Sequence, residues 1–301
     1  MKTYQLYING QYVDPVNGEW FDTIDPYRGE AWAKIPRGTA ADADKAVKAA
    51  NEAMWNGPWA KMTASARGKA MRKLGDLVAA NAERLAEIEV RDNGKLMAEM
   101  LGQLRYHPEW WWYFGGLVDK LEGGLVPIDK AETFAYTTHE PVGVVAALTA
   151  WNSPLLFVAW KCAAALAAGC AVIVKPSEFT SASTLEFAAL TKEAGVPDGI
   201  FNVVTGFGPE AGSALISHPG VAKITFTGSD TTGAKVYETA AKSLKRVSLE
   251  LGGKSPNIVF EDADLTAAAA GAISGIFAAT GQTCIAGSRL LVQSSIKEQF
   301  V

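Results

Sequence analysis

Cys284 lies in ATGQTCIAGSR, residues 279–289, between small side chains. Gly281, Ala286 and Gly287 leave its sulfur uncrowded, and thiolate chemistry needs that access together with a stabilising local field. Backbone N–H groups bared by such neighbours can also hold the oxyanion formed at a carbon the sulfur attacks. The plainer alternative is a packed, inert thiol, which is how Cys162 and Cys170 read in their apolar stretches. Glu250 is the second residue of interest. In VSLELGG the alternation puts Val247, Leu249 and Leu251 on one face and Ser248 and Glu250 on the other. That is either a solvent-facing strand carboxylate or, beside Gly252 and Gly253, where a ligand can approach closely, a base that takes a proton from water. Asn152 reads as a turn residue or as an amide donor to a developing negative oxygen.

Lys175 and Glu178, in KPSE, form either a surface ion pair or contacts to ribose hydroxyls. GSDTTG, from Gly228 through Ser229 to Gly233, opens a helix whose free N–H groups can face phosphate. His107, His139 and His218 are scattered without ligand spacing, so no metal is expected. No Gly-x-Ser-x-Gly elbow is present, which removes the common hydrolase reading.

These residues need a frame, and the frame begins at Val142. VGVVAAL, CAVIVKP, IFNVV, AKITFTG and KRVSLEL read as strands, near-continuous in apolar residues, with helical patterns between them. Such alternation predicts an α/β fold, a doubly wound parallel sheet covered on both faces. Ligands of such sheets bind beyond the carboxyl ends of the strands, which places WNSP, KPSE and FTGS on that rim. Ser153-Pro154 is expected to be N-cap and first residue of the helix that follows.

Upstream, YQLYINGQYV predicts a hairpin about Asn9-Gly10, read as a small β appendage. Residues 41–54 and 63–94 carry helical periodicity, with Gly94 as terminator. EWWWYFGG, Glu109 to Gly116, is an aromatic cluster of core or interface type, and residues 121–140 form an extended excursion. The chain has 301 residues, 49% hydrophobic, a net charge of −4 and three cysteines without a CxxC. That is enough for about two domains. It shows no basic face for nucleic acid, and it fits a reducing, cytoplasmic setting. The apolar run from Pro141 is interrupted by Gly143, Asn152, Ser153 and Pro154, so no membrane span is expected.

Taken in order, EPVGVVAALTAWNSPLL, VIVKPSE, FTGS, LELGGKSPNIV and GQTCIAGSR resemble the NAD(P)-dependent aldehyde dehydrogenase superfamily, and the likeness runs over essentially the whole chain. The resemblance implies a Rossmann-like fold and oxidation of a small-molecule aldehyde to a carboxylic acid. Cys284 would be the nucleophile, Asn152 the oxyanion donor with the Cys284 N–H, Glu250 the base, and Lys161 an aid to proton transfer. Lys175 and Glu178 would contact the adenosine ribose and Gly228 with Ser229 the diphosphate, while Trp151 and Gly208 would border the cofactor. That cofactor is expected to be NAD, with NADP possible, because Glu178 repels a 2′-phosphate. Retention of Glu250 implies hydrolysis in place of transfer to coenzyme A. Ser153 departs from the Phe common in the family, making one wall of the substrate funnel smaller and more polar.

The resemblance also implies a dinucleotide-binding domain over 1–251 and the start of a catalytic domain over 252–301, truncated relative to family members. The expected assembly of the complete protein is a homodimer or homotetramer. SSIKEQFV reads as a helix with a capping box from Ser295 to Glu298 that stops after about two turns. On this reading the 301 residues alone are inactive. A non-catalytic dinucleotide-binding or scaffold fragment is the alternative.

Overall fold

The computed structural model describes residues 1–301. Its largest sheet has seven strands: β1 (Leu6–Ile8), β2 (Gln11–Val13), β3 (Val144–Leu148), β4 (Val172–Lys175), β5 (Phe201–Val203), β6 (Val221–Gly228) and β7 (Arg246–Leu251). The spatial order is β7-β6-β3-β4-β5-β1-β2. The five strands foreseen from Val142 onward are all parallel. Every residue of β3, β4 and β5 is buried, the reason these strands read as unbroken apolar runs. Ala40–Trp55 packs on β3, β4 and β5, Ala182–Glu193 on β5 and β1, and Asp230–Ala241 on β6 and β7. Connections run outward from β3 in one direction through β4 and in the other through β6. Their carboxyl ends therefore part, and a crevice opens between the loops that follow.

The N-terminal hairpin is not an appendage. Asn9 and Gly10 adopt left-handed φ of 54° and 74° at its turn, and β1 then joins the main sheet antiparallel to β5 through Tyr7 and Val203. The Asn9 N–H donates to Asn202 Oδ1 at 2.9 Å, which clamps the join. A separate sheet of Lys2–Thr3, Trp20–Asp25 and Glu30–Pro36 was not foreseen. It is tied down by Asp92, which accepts from Thr23 Oγ1 at 2.8 Å and Trp32 Nε1 at 3.2 Å.

The long helical stretch 63–94 is two helices, Ala64–Ala80 and Ala82–Asn93, parted at Asn81, whose side chain takes the Leu77 carbonyl. Gly94 ends the second with φ of 71°. Trp111 of the aromatic cluster is fully buried and stacks on Phe187 with ring centroids 5.7 Å apart. The excursion at 121–140 is a two-stranded ribbon, Leu125–Val126 against Ala135–Tyr136, largely exposed. After β7 the chain forms β8 (Pro256–Val259), helix Leu265–Phe277 and β9 (Arg289–Val292), with β8 and β9 parallel in a sheet of their own. The capping box expected at Ser295 does not form. The Ser295 hydroxyl donates instead to Glu261 at 2.7 Å, and only the short turns Ser294–Ile296 and Lys297–Phe300 follow. No helix is long and apolar enough to cross a membrane.

Candidate active site

A cleft of about 800 Å³ opens beyond the carboxyl ends of β3, β4 and β6. Trp151 and Asn152 from the loop after β3, and Lys175 and Glu178 at the end of β4, form part of its wall. Gly208 leads the helix after β5, and Gly228 with Ser229 closes β6; these line it too, and Cys284 completes the set. Parallel pairing explains why residues so far apart in sequence meet: Leu148 stands beside Lys175, and Phe226 beside Leu148. At the cleft floor the Thr149 and Thr227 hydroxyls are enclosed and have no partner within the protein.

Lys175 is buried, and burial pulls its pKa below the ordinary lysine value, opposed by Glu178 at 3.3 Å. The pair is thus no surface ion pair: its ammonium is sealed in and its carboxylate faces the cleft. At Ser229 the helix Asp230–Ala241 offers fewer free donors than the sequence suggests. Ser229 Oγ already accepts from the Thr232 N–H at 3.2 Å, and Asp230 Oδ1 from that of Thr231 at 2.7 Å.

Two expected residues do not line this cleft. Lys161 sits in a widened π-type turn, Ala159–Ala163, within the helical run after Pro154. Its Nζ donates to Thr225 Oγ1 at 3.1 Å; burial draws its pKa down to about 8, against the opposing fields of Cys162 and Glu250. Glu250 pairs in register with Thr227 at the edge strand β7, on the face shared by Thr225 and Thr227, and its side chain is exposed. Lys161 and Glu250 are therefore gathered on one face of the sheet, beside the cleft.

The Cys284 loop is fastened from outside. Asn152 Nδ2 donates to the Gln282 carbonyl at 2.9 Å, Glu99 Oε2 accepts from the Ala279 N–H at 2.9 Å, and the Gly287 N–H reaches Gly275 at 3.0 Å. An amide NH₂ has two protons, so Asn152 retains one for a ligand. Ala279, Thr280 and Gly281 adopt left-handed φ of 56°, 55° and 72° in succession. For β-branched Thr280 this is strained, and the outside fastenings hold it. Cys284 itself is half-buried, whereas burial pushes the Cys162 thiol up to about 12 and that of Cys170 upward as well.

Ser153 is not the capping side chain expected. Its hydroxyl makes no cap bond; it accepts from Lys95 Nζ at 2.9 Å and lies 3.3 Å from Gln103 Oε1. The helix start is held by Glu89, whose Oε1 accepts from the Leu155 N–H at 2.8 Å. Glu89 is completely buried, and burial raises its pKa to about 7. Sequence reading passed over Glu89, Lys95 and Gln103. One signal was available: Glu89 and Asp92 fall among the inward positions of an amphipathic helix, where a carboxylate has to have a partner.

Comparison with known proteins supplies an independent line. The family model described as "Aldehyde dehydrogenase family" matches residues 12–301. A (Z)-2-((N-methylformamido)methylene)-5-hydroxybutyrolactone dehydrogenase of Acinetobacter baylyi is 50% identical over 301 residues, all of this chain and 61% of that protein. An aldehyde dehydrogenase of Enchytraeus buchholzi is 46% identical over 99% of this chain and 60% of its own length. Among solved structures, an NAD-dependent aldehyde dehydrogenase from Sinorhizobium meliloti superposes with a TM-score of 0.97 at 43% identity, over 100% of this chain and 60% of that one. An NAD⁺ complex of a Bacillus cereus aldehyde dehydrogenase gives 0.97 at 43%, over 99% and 61%. The chain thus spans about 60% of the length of the relatives it matches.

Proposed function

The chain belongs to the aldehyde dehydrogenase family, and from that membership we propose that the protein carrying it oxidises an aldehyde to a carboxylic acid with NAD through a covalent intermediate on Cys284. The observation that supports this most is the meeting of Cys284 and Asn152 with the strand-end residues in one cleft. The cleft fits a dinucleotide: its volume is that of a cofactor site, it lies at the switch point of the sheet, and its floor carries unpartnered hydroxyls. Lys175 and Glu178 would hold the adenosine ribose, Gly228 and Ser229 the diphosphate, with Trp151 and Gly208 at the borders. Residues 1–251 would then be the dinucleotide-binding domain and 252–301 the opening of the catalytic one. The exposed ribbon at Leu125–Val126 would join subunits of a homo-oligomer.

In this reading Cys284 Sγ adds to the aldehyde carbon, and the resulting alkoxide accepts from the spare Asn152 N–H and the Cys284 N–H. When bound, NAD supplies the acceptor for the hydride whose departure turns the thiohemiacetal into a thioester. Glu250 takes a proton from water, the hydroxide attacks the thioester carbon, and the carboxylic acid and thiolate separate. Lys161, drawn towards its neutral form, serves the proton traffic on that face. Covalent capture divides one difficult oxidation into two easier steps. The Acinetobacter relative points to oxygen-rich substrates as a first choice for assay.

The test is NADH formation by the complete gene product across an aldehyde panel. With Glu250→Gln, a burst of about one NADH per site should survive while steady turnover is lost, because the thioester accumulates. A wild-type protein that binds NAD yet reduces it with no aldehyde would overturn the proposal.

A further inference from the structure

The peptide of Leu155, three residues beyond Asn152, is gripped by both of its polar groups, and the reaction above uses neither side chain that grips it. On one side Glu89 Oε1 accepts from the Leu155 N–H at 2.8 Å. On the other, His107 Nε2 lies 2.8 Å from the Leu155 carbonyl oxygen. Only one tautomer fits. Trp111 Nε1, which can only donate, points at His107 Nδ1 at 3.2 Å, so Nδ1 carries the lone pair and Nε2 the proton. The ring therefore donates to Leu155. Burial draws its pKa down to about 4, which keeps it in that neutral form. Phe187 meets the ring edge to face with centroids 5.9 Å apart and fixes its plane.

Neither group is needed merely to start a helix. Ser153 stands at the N-cap, where a hydroxyl ordinarily serves, yet it makes no cap bond. Its place is taken by a carboxyl that is fully buried, with Oε2 enclosed and without a partner. Burial of such a group costs stability. What the arrangement adds is geometric. Glu89 comes from the helix Ala82–Asn93, and His107 from the junction of Met97–Tyr106 with Pro108–Leu117. Contacts from two directions fix a peptide in rotation as well as in position. Between that peptide and Asn152 stand only Ser153 and Pro154, and the proline ring locks one of the intervening torsions. Asn152 Nδ2 then reaches Gln282 of the Cys284 loop. A shift at Leu155 is thus passed to Asn152 and to the thiol loop together.

Building on the activity proposed above, we propose that Glu89 and His107 are positioning residues for catalysis: by holding the N–H and C=O of Leu155 they set Asn152 where its spare N–H meets the alkoxide. Neither touches aldehyde or cofactor; each acts through Asn152. A donor misplaced by about 1 Å forfeits up to about a hundredfold in rate. The effect therefore falls on kcat and not on cofactor binding, which the strand ends govern.

The measurement is a double-mutant cycle on the complete gene product. It reads kcat and KM with NAD and with hexanal, glycolaldehyde or succinic semialdehyde, whichever is turned over fastest. Glu89→Leu should lower kcat by about ten- to a hundredfold with the KM for NAD unchanged. Glu89→Gln, which keeps an acceptor for the Leu155 N–H, should restore most of it. In an Asn152→Ala background Glu89→Leu should change kcat by less than about twofold, because the donor it positions is gone. His107→Phe and His107→Gln run the same cycle from the carbonyl side, the glutamine amide supplying the N–H, and they decide the matter if Glu89→Leu does not fold. Quenching of tryptophan fluorescence by NAD reports that each variant is folded. Equal losses in the two backgrounds, or an undiminished kcat in folded Glu89→Leu or His107→Phe, overturn this inference alone. Oxidation of none of the aldehydes, with NAD bound, overturns the proposed activity and this inference with it.

Discussion

On one side the cleft is bounded by the ends of β3, β4 and β6, which register and burial hold from both flanks; on the other it is bounded by a loop fastened through side chains of distant elements. Moving a strand-end residue would require slipping a whole strand, and a slip by one residue turns every side chain to the opposite face. Moving Cys284 requires much less. Its loop contains three successive left-handed residues and depends on Asn152 and Glu99 for its path. Damage on the thiol side should therefore appear in the chemistry, and damage on the strand side in cofactor choice.

The largest effect tests the thiol side directly. Cys284→Ala should reduce aldehyde oxidation by about ten-thousandfold or more, since it removes the proposed nucleophile. Cys162→Ala, deep in the core, should retain turnover and lower thermal stability by about 1 kcal/mol. Assaying NADH formation and melting side by side separates the two, and an active Cys284→Ala would break the comparison. Asn152→Ala comes next. It removes the proposed oxyanion donor together with a loop fastening, so kcat should fall by about a hundred- to a thousandfold. A change in KM alone would assign Asn152 to binding.

A smaller effect belongs to the strand side. Glu178→Gln should lower the preference for NAD over NADP by about tenfold with kcat for NAD little altered, because a neutral amide no longer repels a 2′-phosphate. Equal use of both cofactors by the unaltered protein would show that Glu178 does not discriminate. The smallest effect lies beneath both sides. Burial raises Glu89 and Asp92 to about 7 from ordinary values of 4.5 and 3.8. Each binds its proton more tightly folded than unfolded. Their contribution to stability is thus complete below those ordinary values and is lost as pH rises through about 7. Melting temperature should fall between about pH 4 and pH 7, by a few degrees, and Glu89→Gln should flatten that slope.

The strand side was legible in the sequence because buried parallel strands announce themselves as apolar runs, and the residues of interest sit where those runs end. WNSP, KPSE and FTGS reach one rim as expected. Less was legible where distant segments decide. The hydroxyl of Ser153 has the type and place of a cap, yet Lys95 competes for it and Glu89 takes over the capping. At Ser295 the partner Glu261 lies 34 positions away, and the local box loses to it. The hairpin at Asn9-Gly10 was visible, but not its partner β5, because pairing over such a separation leaves no mark in either segment.

That pairing has a consequence for synthesis. At about 5–20 residues per second, the hairpin leaves the ribosome roughly 10–40 seconds before β5 exists to receive it. Through that interval β1 offers an open hydrogen-bonding edge, the kind of surface that other chains pair with. Two features soften the exposure: the strand is only three residues long, and its neighbour β2 already covers one side. The first strands are therefore captured late, once β5, the fifth of the seven strands, has been made, and the chain must remain unentangled until then. Lengthening β1 by a few apolar residues would leave the finished fold little changed and make the nascent chain much harder to keep apart from its neighbours.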